Sequence, residues 1–321
     1  MTRGRRVVLI GSTEHDTTIN VVGAILSSMR NVSVMVFDGS GLGEHLHLSA
    51  RFPSTGCDPI RFECKTPHDT LDWREVHSVW NRRWHNPAVL QDVTRTSGLH
   101  DFAEENWRRF VNGVWLCSAA KWVNAPPAHT VAANKVLQLR EAKEVGFAVP
   151  ETLITSDPAA AAAFIADYPR GVICKSLGNT FSSPATQTVL LHDGHLAMLK
   201  RLGLAPAIFQ EYVRGESDIR VTVVGDRVFA GRIHTAKGND PVDWRTDPDN
   251  PWYTHRLPPT IKHRCVELTH RLGLRYGAID LRMSAEGEYV FFEINPGGQF
   301  LFLEVWTGLP IAKALATYLV N

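Results

Sequence analysis

The sequence predicts an α/β fold that opens on a parallel sheet and closes on antiparallel hairpins, and three observations predict it. First, residues 6–10 (RVVLI) and 32–38 (VSVMVFD) are short apolar runs, and between them Val21, Val22, Ile25, Leu26 and Met29 recur at helical spacing. Strand, helix and second buried strand in that order are the pattern of a parallel βαβ unit. Second, residues 219–224 and 227–233 are β-rich runs joined by Gly225-Asp226, a hairpin signal. Third, residues 276–283 and 288–294 form another such pair across Ala285-Glu286-Gly287. At 321 residues and 44% hydrophobic content the chain is long for one compact domain, so two or three lobes are expected.

The remaining elements follow in order. Residues 78–80 read as a short strand, and 102–115 as a helix whose surface carries Glu104, Glu105, Arg108 and Arg109. Pro126 and Pro127 punctuate the chain near a lobe boundary. A helix over 130–145 ends at Gly146, with Pro150 closing the turn. Residues 158–167 are an alanine-rich helix with proline in the favoured first position. Residues 172–175 are a strand, 178–184 a loop of small and polar residues, and 188–191 and 208–213 further strands. Residues 238–252, polar and carrying three prolines, read as a loop, and 259–272 as a helix ended by Gly273. There is no internal repeat.

Composition excludes several classes of function. Lys plus Arg total 34 against 33 for Asp plus Glu, so neither a basic face for nucleic acid nor an acidic tail is expected. The apolar runs are too short to span a bilayer, and residues 7–10 are too short for a signal-peptide core. The five cysteines are odd in number and lack a Cys-x-x-Cys pair, which argues against a disulfide framework or zinc ribbon and for the cytoplasm. There is no G-x-x-x-x-G-K-[ST], no G-x-S-x-G and no H-E-x-x-H. The glycines of 39–43 are not spaced as G-x-G-x-x-G, and His263, Cys265 and Glu267 lack the second cysteine pair of a zinc deaminase.

Four constellations carry chemistry. Glu293 and Asn295 are two apart in an apolar strand, so they share a face, and hairpin pairing brings Asp280 alongside them. Two carboxylates and an amide oxygen suit magnesium, although an ion pair from Glu293 to Arg282 or another arginine explains the same residues. Lys135 on a helix and Lys175 at the end of the strand VICK can meet phosphate as point charges, or be solvated surface residues. Residues 209–215 (FQEYVRG) run from strand to polar segment, and their unpaired backbone edge can bond a planar heterocycle. Arg220 and Arg232 lie on neighbouring strands of the first hairpin and can clamp phosphates, or pair with carboxylates across strands. Residues 80–84 (WNRRW) fit an anionic or peptide ligand, or a lobe interface.

Taken in order, Lys135, Lys175, Gln210-Glu211-Tyr212-Val213, Asp218-Ile219-Arg220, Arg232, Asp280 and Glu293-x-Asn295 resemble the ATP-grasp ligases. VWNRR at 79–83, DWR at 243–245, LPPTI at 257–261, GLRYGAIDLR at 273–282 and FFEINPGGQFLFLE at 291–304 are similar to the graspetide synthetases, the microviridin-type peptide maturases. The similarity spans nearly the whole chain and is thin between 38 and 76. Asn81 stands where these enzymes often carry tyrosine.

The resemblance implies a three-lobed ATP-grasp fold of the α/β (α+β) class: an N-terminal α/β lobe over 1–121, a central lobe over 122–206 and a C-terminal lobe over 207–321, with ATP between the last two. It implies that Lys135 and Lys175 contact phosphates, that Gln210, Glu211, Tyr212 and Val213 frame the adenine, and that Asp218 approaches the ribose or the substrate. It makes Arg220, Arg232 and Lys175 the catalytic cations, with Arg232 near the transferred phosphate, and Asp280, Glu293 and Asn295 the ligands of two Mg2+ ions. The implied activity is ATP-dependent macrocyclisation of a ribosomal precursor peptide, leader and core, by a cytoplasmic homodimer. A side-chain carboxylate becomes an acyl phosphate, shielded by a closing loop over 176–184, and a Ser or Thr hydroxyl or a Lys amine displaces phosphate. The alternatives are a ligase adding a free amino acid to a peptide or protein, and a silent peptide-binding protein. The silent alternative requires a lost ligand, whereas Lys135, Lys175, Asp280, Glu293 and Asn295 are all present.

Overall fold

The computed structural model describes residues 5–11, 14, 16–54, 60–67, 69–84, 87, 98–178, 188–235 and 249–321. The apolar runs at the start become strand β1 (Arg5–Ile10), helix α1 (Thr17–Ser27) and strand β2 (Val32–Phe37). Asp16 caps α1, its Oδ1 accepting from the Thr18 N–H at 3.0 Å. Strands β3 (His47–Arg51), β4 (Arg61–Lys65) and β5 (Thr70–Asp72) form a small antiparallel sheet in the stretch where sequence patterning is thin. Then follow β6 (Val76–Asn81), α2 (Gly98–Leu116) and β7 (Lys121–Val123). The first large sheet has the order β2-β1-β6-β7, parallel throughout.

The helix expected over 130–145 is two helices, α3 (Pro126–Ala132) and α4 (Lys135–Glu144). Asn134 makes the break: its Oδ1 accepts from the Leu137 N–H at 3.1 Å and caps α4. Pro126 and Pro127, expected near a lobe boundary, occupy the first turn of α3, where a missing N–H costs nothing. Next come β8 (Thr152–Thr155), α5 (Pro158–Asp167), β9 (Val172–Ser176), β10 (Val189–Leu190), a 3₁₀ segment over Asp193–Leu204 and β11 (Ala207–Glu211). Their antiparallel sheet has the order β10-β9-β11-β8. The loops expected at 178–184 and 238–252 lie for the most part outside the described residues, as does Cys57.

The third sheet is antiparallel in the order β14-β13-β12-β15-β16. Its strands are β12 (Gly215–Val224), β13 (Arg227–His234), β14 (Tyr253–Thr254), β15 (Tyr276–Ser284) and β16 (Tyr289–Asn295), with helix α6 (Pro259–Arg271) before β15. Both predicted hairpins are present, and Gly225 and Gly287 take the positive φ their turns demand. Helices α7 (Leu301–Thr307) and α8 (Ile311–Val320) end the chain. The end of the chain completes the first core: Ile311, Leu315 and Leu319 pack with Val7, Leu9, Leu26 and Trp80. A second core joins α6 to the third sheet through Ile261, Leu268, Val221, Ile279 and Phe291. Among the described residues no helix is long and apolar enough to cross a membrane, and Cys64, Cys117, Cys174 and Cys265 are free thiols.

One buried side chain ties helix to sheet where it matters most. Gln138 on α4 donates through Nε2 to the carbonyls of Ala132 at 2.6 Å and Ile294 at 2.8 Å. Its Oε1 accepts from the Ile294 N–H at 3.1 Å. The backbone between Glu293 and Asn295 is thereby fixed. Gln138→Met leaves buried backbone groups unpaired, each worth about 1–3 kcal/mol, so a loss of about 3 kcal/mol is expected in denaturant unfolding. A loss below about 1 kcal/mol contradicts this anchoring role.

Candidate active site

Register builds the site. Pairing of β15 with β16 sets Asp280 opposite Glu293 and Ala278 opposite Asn295, and pairing of β12 with β15 sets Arg220 opposite Asp280. Residues paired across strands share a face, so Asp280, Glu293 and Arg220 project together. Arg220 Nη1 lies 2.8 Å from both Asp280 oxygens, and its Nη2 donates to the Gln299 carbonyl at 2.9 Å. A shift of register directly after Asp280 inserts an extra residue into β16 and places Phe292 on the wall of the site.

Two lysines complete the cluster. Lys135, first residue of α4, donates to Glu293 Oε2 at 2.5 Å, while Asn295 Nδ2 donates to Glu293 Oε1 at 2.8 Å. Lys175 on β9 donates to Gln210 Oε1 at 3.1 Å, and Gln210 in turn donates to Thr152 Oγ1 at 2.9 Å. Gln210 therefore acts by aiming Lys175. Burial pushes the Glu293 carboxyl up, but the charges of Lys135 and Lys175 and the bonds from Lys135 and Asn295 outweigh it and hold the group at about 2. Burial raises Asp280 above the ordinary carboxylate range and the Glu293 charge adds to it, against the opposing charge of Arg220. Burial lowers the Lys175 ammonium, with Lys135 pushing the same way. The cluster is a set of mutually compensating, half-buried charges, and their partial removal from water strengthens each interaction.

The cluster forms one wall of a cavity of about 820 Å³. Glu211, Tyr212 and Val213 line another part, where the strand β11 runs out. There the Glu211 and Tyr212 N–H groups are spent on the carbonyls of Glu151 and Gly171, both at 2.9 Å. Asp218 also lines the cavity, but its carboxylate is gripped by Arg282 at 2.7 and 3.0 Å. Arg282 donates as well to the Val213 carbonyl at 3.2 Å and lies over the rings of Phe292 and Tyr212. Asp218 thus holds the wall beside the end of β11 rather than reaching into the cavity unaccompanied. Arg282 had a sequence signal: alternation in YGAIDLR puts it on the face of Asp280.

The structure does not bring Arg232 to this cluster. It pairs with Ile219, one position from Arg220, so its side chain leaves the opposite face of the sheet, on the side of His255 and Tyr289. The run at 80–84 divides its two expected uses. Arg82 is buried, lies 3.1 Å from Asp16 and donates to the Gly297 carbonyl, joining the first lobe to the loop after Asn295. Arg83 and Trp84 line the cavity, with Trp84 set against Trp115 of α2 at 5.4 Å between ring centroids.

Hard oxygen donors beside buried cations are the signature of a metal–polyphosphate site. Among the described residues there is no group of three or more His, Cys, Asp and Glu able to hold a metal. Two carboxylates and one amide oxygen fit magnesium nonetheless, because magnesium fills out its octahedron with waters and phosphate oxygens. Arg282→Met takes from the buried Asp218 carboxylate the cation that grips it, so a loss of about 3–5 kcal/mol in unfolding free energy is expected, and Asp218→Leu in the same chain recovers most of it. A single variant as stable as the parent contradicts the pairing.

A family model described as a RimK-like ATP-grasp domain matches residues 132–319. Among curated proteins none matches the chain by sequence. A RiPP-associated ATP-grasp ligase of Chryseobacterium gregarium, solved with ADP and a leader and core peptide, is similar at a TM-score of 0.88 and 26% identity, over 98% of this chain and 96% of that one. The macrocyclase MdnC of Microcystis aeruginosa, bound with precursor peptide MdnA, is similar at 0.87 and 26%, over 98% and 99%. The macrocyclase MdnB of the same organism is similar at 0.81 and 27%, again over 98% and 99%.

Proposed function

The chain belongs to the RimK-like ATP-grasp family, and we propose that it is an ATP-dependent macrocyclase of a ribosomally made precursor peptide. One observation carries this reading: the likeness to peptide-bound ligases covers 98% of the chain, well beyond the 132–319 that the family model matches. The N-terminal lobe is therefore shared too, and it supplies Trp84, Trp107 and Trp115 to the same cavity as the charge cluster. A space of about 820 Å³ walled by tryptophan suits a peptide segment better than a free amino acid.

The reaction follows from the charges. Glu211, Tyr212 and Val213 seat the adenine end of ATP, and the phosphates extend toward Lys175, Lys135 and Arg220. Asp280, Glu293 and Asn295 would hold magnesium, which supplies neutralisation of the phosphate oxygens. A Glu or Asp side chain of the peptide, entering from the tryptophan wall, attacks the γ-phosphorus, and ADP leaves. Lys175 and Arg220 carry the charge that spreads over the moving phosphoryl group. The acyl phosphate is then opened by a Ser or Thr hydroxyl, giving an ω-ester, or by a Lys amine, giving an ω-amide. No protein nucleophile is required. Arg232, on the far face of the sheet, takes no part.

The same reading divides the chain into lobes at 121/122 and 206/207 and places it in the cytoplasm, supported by four free thiols among the described residues. A homodimer rests on the resemblance alone.

The test is incubation with ATP, magnesium and the peptide encoded beside the gene, read by mass spectrometry. One water is lost per linkage. Glu293→Ala abolishes that loss while far-UV circular dichroism stays unchanged, and Lys175→Ala lowers turnover by about 10²-fold. Full turnover in Glu293→Ala contradicts the metal assignment, and unchanged kinetics in Lys175→Ala contradict the role of that lysine.

A further inference from the structure

We infer that His129 is a catalytic residue of this enzyme, an imidazole whose Nε2–H bonds the carbonyl oxygen of the activated peptide side chain while the nucleophile attacks. This rests on the macrocyclase reading above and deepens it.

Placement is the first ground. Helix α3, which carries His129, packs against α2 with its Trp107 and Trp115 and against α4, which starts at Lys135. The His129 ring lines the cavity where these two sides meet. It lies on the loop that follows Asn295: a Cβ on Gly297 would stand 3.1 Å from His129 Cε1 and 3.8 Å from Nε2. Arg82 holds the same loop by donating to the Gly297 carbonyl. An acyl phosphate has its phosphoryl end among Lys135, Lys175 and Arg220 and its carbon chain on the tryptophan side. Its carbonyl group belongs at the junction, beside His129.

The surroundings also fix which nitrogen carries the proton. His129 Nδ1 is buried and has no hydrogen-bond partner among the described residues. A proton there would be a buried donor without an acceptor, in the field of the Arg82 cation, whereas a lone pair is favoured by that field. The proton therefore sits on Nε2, the nitrogen left to face the cavity. Burial, and after it the charge of Arg82, hold the ring below the ordinary histidine range. The charged groups facing it from neighbouring elements are Lys135 on α4, Arg83 beyond β6, and Glu104 and Arg108 on α2, so cations prevail. The ring stays neutral and acts as a donor.

When the hydroxyl oxygen or amine nitrogen bonds to the carbonyl carbon, negative charge collects on the carbonyl oxygen, and the Nε2–H donates a hydrogen bond to it. The bond from that carbon to the phosphate oxygen then breaks with its electron pair, and the proton of the nucleophile ends on the departing phosphate. The imidazole keeps its own proton throughout.

The experiment uses the whole enzyme with ATP, magnesium and the peptide encoded beside the gene, quenched rapidly and read for both ADP and closed rings. His129→Leu forms ADP in the first turnover at the parent rate but closes rings about 10²-fold more slowly, with the peptide KM unchanged. His129→Gln keeps an N–H donor and recovers most of that loss. In parent enzyme carrying ¹⁵N-histidine, the His129 signals, assigned by their absence from His129→Gln, show a neutral ring protonated on Nε2 from about pH 6 to pH 8. Parent ring closure in both variants, or ADP formation slowed as much as closure in His129→Leu, overturns the inference. So does a ring that titrates like an ordinary histidine or carries its proton on Nδ1. Each of these leaves the macrocyclase reading intact. Parent enzyme that closes no ring overturns the macrocyclase reading itself, and the inference with it.

Discussion

Asp280 and Glu293 face each other across two strands of a sheet whose other side is apolar core. Two like charges at such a spacing are mutually destabilising, and burial makes each worse. Much of the surrounding structure answers that constraint. Arg220 comes from the next strand in register with Asp280, Lys135 comes from the first turn of α4, and Lys175 comes from a different sheet. Gln138 pins the strand backbone between Glu293 and Asn295, and the break at Asn134 starts α4 where its first residue reaches Glu293. In this arrangement Arg220 and Lys135 neutralise the carboxylates that a metal ion would otherwise neutralise.

The same charge pattern gives the cavity two chemically different sides. Cations and oxygen donors converge on one side, while tryptophans and Arg83 form the side facing the N-terminal lobe. Arg82 joins the two halves, because its contacts with Asp16 and Gly297 link the cap of α1 to the loop that follows Asn295. Helix α8 adds a second link by completing the core of the first lobe from the far end of the chain. The two sides of the cavity are thus joined by an ion pair, a hydrogen bond and a shared apolar core.

Much of this was legible in the residues. The hairpin that carries Asp280, Glu293 and Asn295 announces itself by two apolar runs and a glycine turn, and alternation then fixes their shared face. Lys135 and Lys175 were legible as candidates only in company, since each alone reads as a surface lysine. The place of Arg232 is not legible from strand proximity alone, because it depends on register: the turn at Gly225-Asp226 pairs Val224 with Arg227, which carries Arg232 to Ile219 and so to the opposite face from Arg220. The break between α3 and α4 was hidden because Asn134 sits in an otherwise helical pattern, and only its cap bond reveals the boundary. The three short strands between 47 and 72 bury few residues, so their alternation is weak in the sequence.

The central claim is that a peptide carboxylate is activated by phosphoryl transfer in this cavity. It is tested most directly by supplying the precursor peptide with its Glu and Asp side-chain oxygens labelled as ¹⁸O and following the label into the released phosphate by mass spectrometry. The account predicts one labelled oxygen in phosphate for each ring formed. Rings that form while the phosphate stays unlabelled contradict it.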